Sequence, residues 1–121
     1  MNEQLKGLIE TFEYDGEGYT RGIEFESWTV AVLNYADRFD NINKLERHNL
    51  TDEVFILVEG EGTLIVGEDA IHVPMEKNKF YNVKAGVWHA VKVSRDCKII
   101  IVENANTSKA NTDYLALDNP L

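Results

Sequence analysis

Between residues 28 and 103 the chain is a succession of short β-rich runs broken by turn residues, a pattern that few architectures accept. The runs are 28–35, 44–48, 53–59, 62–66, 70–73, 79–83, 89–94 and 98–103, and most are rich in β-branched and aromatic residues. Gly60-Glu61-Gly62 and Gly67-Glu68-Asp69-Ala70 supply tight connections. Many short strands at close intervals make a sandwich or a barrel. In the run from Glu53 to Glu59, alternation puts Glu53, Phe55 and Leu57 on one face and Val54, Ile56 and Val58 on the other. The second face is as apolar as the first, so the strand is expected to be covered on both sides, inside by the barrel core and outside by a second copy of the chain. A homodimer is the expected assembly.

The ends of the chain read differently. Leu5, Leu8, Ile9 and Phe12 recur at helical spacing, which predicts a short amphipathic helix over residues 3–12, stopped by Gly16 and Gly18 and laid over a barrel edge. After Glu103 the sequence turns polar before Tyr114, Leu115 and Leu117 return as anchors, so the tail is expected to lie across its own barrel or a neighbour's. At 121 residues the chain is expected to be one domain. It divides into an N-terminal arm (1–27), a barrel (28–103) and a C-terminal tail (104–121).

Charge excludes several partners. Twelve Lys and Arg stand against 21 Asp and Glu, a net charge of −9, and such a field repels phosphate backbones and anionic lipid surfaces. Neither nucleic acid nor a membrane is an expected partner. No apolar run approaches the ~20 residues of a membrane span, and Met1-Asn2-Glu3-Gln4 opens no basic-then-apolar leader. A cytoplasmic location is expected. The lone Cys97 precedes the apolar run 99–102 and reads as a buried, reduced packing thiol rather than a nucleophile.

The chemistry-bearing residues sit in two runs. The first is Glu46-Arg47-His48, followed after four residues by Glu53; Glu46 and His48 share a strand face, and Glu53 re-enters the same region after a bend over 49–52. The second ends Gly86-Val87-Trp88-His89. This layout resembles the cupin superfamily. Its first motif, a His-any-His pair, three or four residues, a Glu, six residues and a Gly, is matched from His48 through Glu53 to Gly60, with Glu46 in place of the first His. Its second motif, a Gly, five residues, Pro-any-Gly, two residues and a His, is matched at Gly86 and His89, with Asn78 and Lys84 in place of the first Gly and the Pro. Asn tolerates the left-handed backbone region, so the turn at Asn78 is expected to survive.

The resemblance implies an all-β, double-stranded β-helix fold (the cupin or jelly-roll barrel), with the short N-terminal helix appended. It also implies a divalent metal, one of Mn, Fe, Zn or Ni, held inside the barrel by His48, Glu53 and His89. Two imidazoles and a carboxylate with open positions suit such ions. Glu46 is either a fourth ligand, hardening the site toward manganese or iron, or an acid/base group that orients His48 or moves a proton. The function expected is that of a metal-dependent enzyme, of isomerase, lyase or dioxygenase type, acting on a small polar metabolite. The alternative is a non-catalytic module or sensor that holds a small ligand, with or without metal. Other residues have plainer readings. His72 reads as an exposed strand histidine, Trp28 and Trp88 as packing residues, and Arg47 as pointing away from Glu46 and His48. Phe55 and Leu57 line an apolar interior with a polar end, the usual build of a small-ligand pocket.

Overall fold

In the computed structural model, which describes residues 7–121, the chain forms ten strands: β1 (Tyr19–Phe25), β2 (Trp28–Asn34), β3 (Lys44–His48), β4 (Glu53–Glu59), β5 (Gly62–Val66), β6 (Ile71–Pro74), β7 (Phe80–Val83), β8 (His89–Val93), β9 (Lys98–Asn104) and β10 (Thr112–Ala116). They make two five-stranded antiparallel sheets, ordered β1-β2-β9-β4-β7 and β10-β3-β8-β5-β6. From β2 onward nearly every connection crosses from one sheet to the other, so strands distant in sequence face one another across the interior. This is the all-β jelly-roll that the cupin resemblance implies.

Alternation along the strands builds the core. On β4, Glu53, Phe55 and Leu57 are buried, whereas Val54 and Ile56 are half-buried and Val58 is exposed. From β9, Ile99 and Ile101 join them, and Leu64, Val91 and Val93 come in from the opposite sheet. Each such aliphatic side chain contributes roughly 1.5–3 kcal/mol by leaving water. Cys97 is buried against the same cluster as a free thiol, and burial raises its pKa, in line with a packing role. Asn78 adopts φ 66°, the left-handed turn expected of it. Gly60 sits at φ 72°, where an added Cβ would lie 2.8 Å from the Cys97 backbone. Only glycine fits that turn without a shift.

The helix expected over 3–12 does not form among the described residues. Residues 7–12 are a turn and extended chain; Leu8 and Ile9 are exposed, and Phe12 lays its ring over Gly22. Leu5 and residues 3–6 lie outside the described residues. A helical stripe needs an apolar surface to meet, and Leu8 and Ile9 meet none. The arm is not merely an arm, because β1 within it pairs along β2.

The tail likewise supplies β10, which pairs with β3 from Thr112↔His48 to Ala116↔Lys44. Leu115, Leu117 and Leu121 then pack over Ile42, Leu45 and Ile65 on the outer side of the second sheet. Leu117 and Leu121 also bond backbone to backbone with Asn43 and Ile42. The tail therefore lies across its own barrel. Trp88 packs into this outer cluster under the Arg47 guanidinium, 4.4 Å from its ring. Arg47 also pairs with Asp113 at 2.9 Å, so it faces away from Glu46 and His48 as expected. His72 is exposed. Trp28 is not a core residue: it is 40% exposed and meets Phe25 edge-on.

Candidate metal centre

Both sheets deliver side chains to one end of the interior. In the second sheet Glu46 on β3 stands directly opposite His89 on β8, and His48 lies two residues along the same face of β3. In the first sheet β4 begins at Glu53, and the pairing Val54↔Val102 carries the register on to Glu103 on β9. The four residues singled out in the sequence are thus brought together, and Glu103 joins them.

His89 Nε2 lies 2.9 Å from Glu53 Oε1, and His48 Nε2 lies 3.4 Å from Glu53 Oε1 and 3.5 Å from Glu46 Oε1. The two imidazole centroids are 5.3 Å apart, and Phe55 meets His89 edge-on at 6.0 Å. Glu53, His89 and Glu103 are buried, while Glu46 is partly open to the cavity. That cavity, of about 910 Å³, is walled by Phe55, Val91 and Ile101 at its apolar side.

The far nitrogens fix the rings. His89 Nδ1 is 3.0 Å from the Val87 carbonyl, which can only accept, so this nitrogen carries the proton. His48 Nδ1 is 2.9 Å from Thr112 Oγ1, and that hydroxyl donates its own proton to the Ser108 carbonyl at 2.7 Å. It therefore accepts from His48 Nδ1–H. Both Nε2 atoms are left pointing at carboxylate oxygens, lone pair against lone pair, unless a positive species lies between them.

Electrostatics says the same. Burial opposes protonation of His48, but the Glu46 and Glu53 carboxylates facing its Nε2 outweigh it and push the pKa up to about 10. His89 is raised too, with burial opposing and the Glu53 carboxylate prevailing. For Glu53, burial favours the neutral acid, yet the two imidazoles hold its carboxyl below the usual range. Glu103 is raised, first by burial and then by the charge of Glu53; its carboxylate accepts a 2.7 Å hydrogen bond from the Tyr19 hydroxyl.

The donor set suits a metal ion. Glu46, His48 and His89 offer ligand atoms within 4.8 Å of one another, as do His48, Glu53 and Glu103, near the ~4.2 Å limit for two donors each ~2.1 Å from one ion. Glu53 Oε1 and His89 Nε2, despite their 2.9 Å approach, are two acceptors when Nδ1 carries the ring proton, and both are buried without a partner. Buried polar atoms are rarely left in that state.

The sequence model of the Cupin domain family (Cupin_2) matches residues 41–103, more than half of the chain. The chain belongs to the cupin family. No curated protein matches the sequence of this cupin. Among solved structures, the Streptomyces nucleoside dehydratase Pac13 superposes with a TM-score of 0.63 at 9% identity, covering 86% of this cupin and 83% of its own chain. A cupin-2 domain protein from Shewanella frigidimarina gives 0.57 at 20% identity, covering 86% and 93%. FeII HppE gives 0.55 at 16% identity, covering 72% of this cupin and 50% of its own chain. At these identities the likeness is one of fold.

Residues that the sequence reading missed complete the site. Glu103 continues the inward alternation Ile99, Ile101, Glu103, and an acid on an apolar inward face was the signal available for it. Thr112 carried no such signal, because β10 ends a polar stretch.

Proposed function

We propose that this cupin binds a divalent metal ion through His48, Glu53 and His89 and acts as an enzyme of isomerase, lyase or dioxygenase type on a small polar metabolite. Glu46 is proposed as fourth ligand or acid/base group, and Glu103 as the carboxyl that braces Glu53. The observation that carries this reading is the pair Glu53 Oε1 and His89 Nε2, buried, unpartnered and 2.9 Å apart, with the far nitrogen of His89 already engaged. Mn, Fe, Zn or Ni would suit the donors, the carboxylates favouring the harder ions. Such an ion, when bound, polarises a carbonyl or hydroxyl oxygen of the substrate. The chain's own part is then to orient the substrate against the apolar wall of Phe55 and Val91, and to move a proton at Glu46, the cluster carboxylate most open to the cavity. A nucleoside dehydratase and an FeII protein share the fold, and that range leaves the reaction to be chosen by the site.

A second reading has its own support. A proton on His48 satisfies both Glu46 and Glu53, and those contacts hold the imidazolium to about pH 10. A metal-free cupin that binds a ligand without turning it over is consistent with that. Metal content of the purified chain, with thermal unfolding in Mn²⁺, Fe²⁺, Zn²⁺ and Ni²⁺, decides between them. At least one ion is expected to raise Tm in the parent chain and not in His89→Ala. If none does, the metal-free reading replaces the enzyme reading.

A further inference from the structure

The rim of the cavity carries charge of the opposite sign to the rest of the molecule. Arg38, in the 3-10 turn Asp37–Asp40, Lys44, at the start of β3, and Lys109, in the turn before β10, all line it. In a chain of net charge −9, cations have acids in abundance to pair with. Arg21, Arg47, Lys79, Lys84, Arg95 and Lys98 do so within 4 Å. Among the described residues, Arg38, Lys44, Lys77, Lys92 and Lys109 do not, and three of these five stand on this one rim.

Two of the rim cations are held by aromatic faces instead: Lys44 Nζ lies 4.4 Å from the Tyr114 ring and the Arg38 guanidinium 4.7 Å from Phe39. A ring face positions a cation without cancelling its charge. Among the described residues, Asp37 is the one carboxylate lining the rim; the other three acids of the cavity, Glu46, Glu53 and Glu103, belong to the cluster within. The cavity thus has an anionic, imidazole-bearing floor and a cationic mouth.

We propose that the ligand of this cavity is a small organic anion whose terminal carboxylate or phosphate sits among Arg38, Lys44 and Lys109, while its uncharged oxygens reach the His48, Glu53 and His89 cluster. This deepens the proposed function and rests on it for the role of the floor. The rim also draws such anions toward a protein whose overall field would repel them, since a local potential focused by low-dielectric walls outweighs distant charges screened over ~10 Å.

Titration calorimetry of the full chain, with and without Mn²⁺, against L-malate and glycerol phosphate, with glycerol as the uncharged control, tests this. At least one of the two anions is expected to bind and glycerol is not; malate alone marks a carboxylate ligand, and glycerol phosphate alone a phosphate ester. The Kd should weaken as NaCl rises from about 20 to about 200 mM. The Lys44→Gln/Lys109→Gln double variant, altered only at exposed side chains, should weaken it by about three- to tenfold and leave the affinity for Mn²⁺ at the parent value. Failure of both anions to bind, or binding that ignores the double substitution, overturns the proposal. Anion binding in a parent chain that takes up none of Mn²⁺, Fe²⁺, Zn²⁺ and Ni²⁺ removes the metal reading and leaves the cationic rim intact.

Discussion

Thr112 shows how much of this site depends on a hydroxyl that has no chemistry of its own. By donating to Ser108 O and accepting from His48 Nδ1, it fixes which nitrogen of His48 faces the carboxylates. Thr112→Val keeps the shape and removes the acceptor, so metal affinity is expected to fall about 10–100-fold with little change in Tm, while Thr112→Ser retains it. Competition against a chelator measures both. The protons matter as much. His48, raised from 6.5 to about 10, contributes stability that is fully present below pH 6.5 and lost as pH rises through 10. Glu53, held below its ordinary 4.5, contributes stability present above that value and lost as pH falls through its depressed pKa. The metal-free chain is expected to lose Tm between pH 6.5 and 10, and over the same range metal affinity should rise as the competing proton leaves. A metal-free Tm that stays flat there would mean His48 is not ionised.

Among the elements, β10 does two jobs at once. Its inward residues Thr112 and Tyr114 line the cavity. Leu115 and, beyond the strand, Leu117 cover an outer cluster in which Leu45 and Ile65 are fully buried. Leu45 is next to Glu46 in sequence but points to the opposite side of β3. Leu45→Ala should therefore cost about 2–5 kcal/mol by loosening the tail, and through the tail it should also weaken metal binding. Denaturant unfolding and a metal titration on the same variant check the two effects together. A variant that loses stability but keeps full metal affinity would show that the outer cluster and the site are independent.

At the scale of the whole molecule, the outer face of the first sheet carries aliphatic rows: Val30, Val102 and Val54 stand in register, as do Val32, Ile100 and Ile56, with the 73%-exposed Phe80 beside them. The homodimer expected from the sequence would bury this face against its own copy, an isologous contact. Sedimentation at micromolar concentration is expected to give a dimer, and Ile56→Arg a monomer. A monomeric parent chain would count against it.

Local pattern settled a good part of this. Alternation and turn residues read out most strands within a residue or two and the inward set Glu53, Phe55 and Leu57, because period-two geometry and a fixed loop length act over a few residues, while the convergence of Glu46, His48 and Glu53 with the distant His89 is what the resemblance to the cupins implies. β1 and β10 were not legible, since an edge strand with polar residues is defined by the partner it pairs with. The N-terminal helix was read from a spacing that has no strength without a surface to bury it. Glu103 and the Thr112 tether depend on strands that meet only when the two sheets close. The unpaired state of Arg38, Lys44 and Lys109 depends on where every acid came to rest. Sequence could place donors on a common face; only the closed barrel could decide which of them were left without partners, because that is a property of distances between residues far apart in the chain.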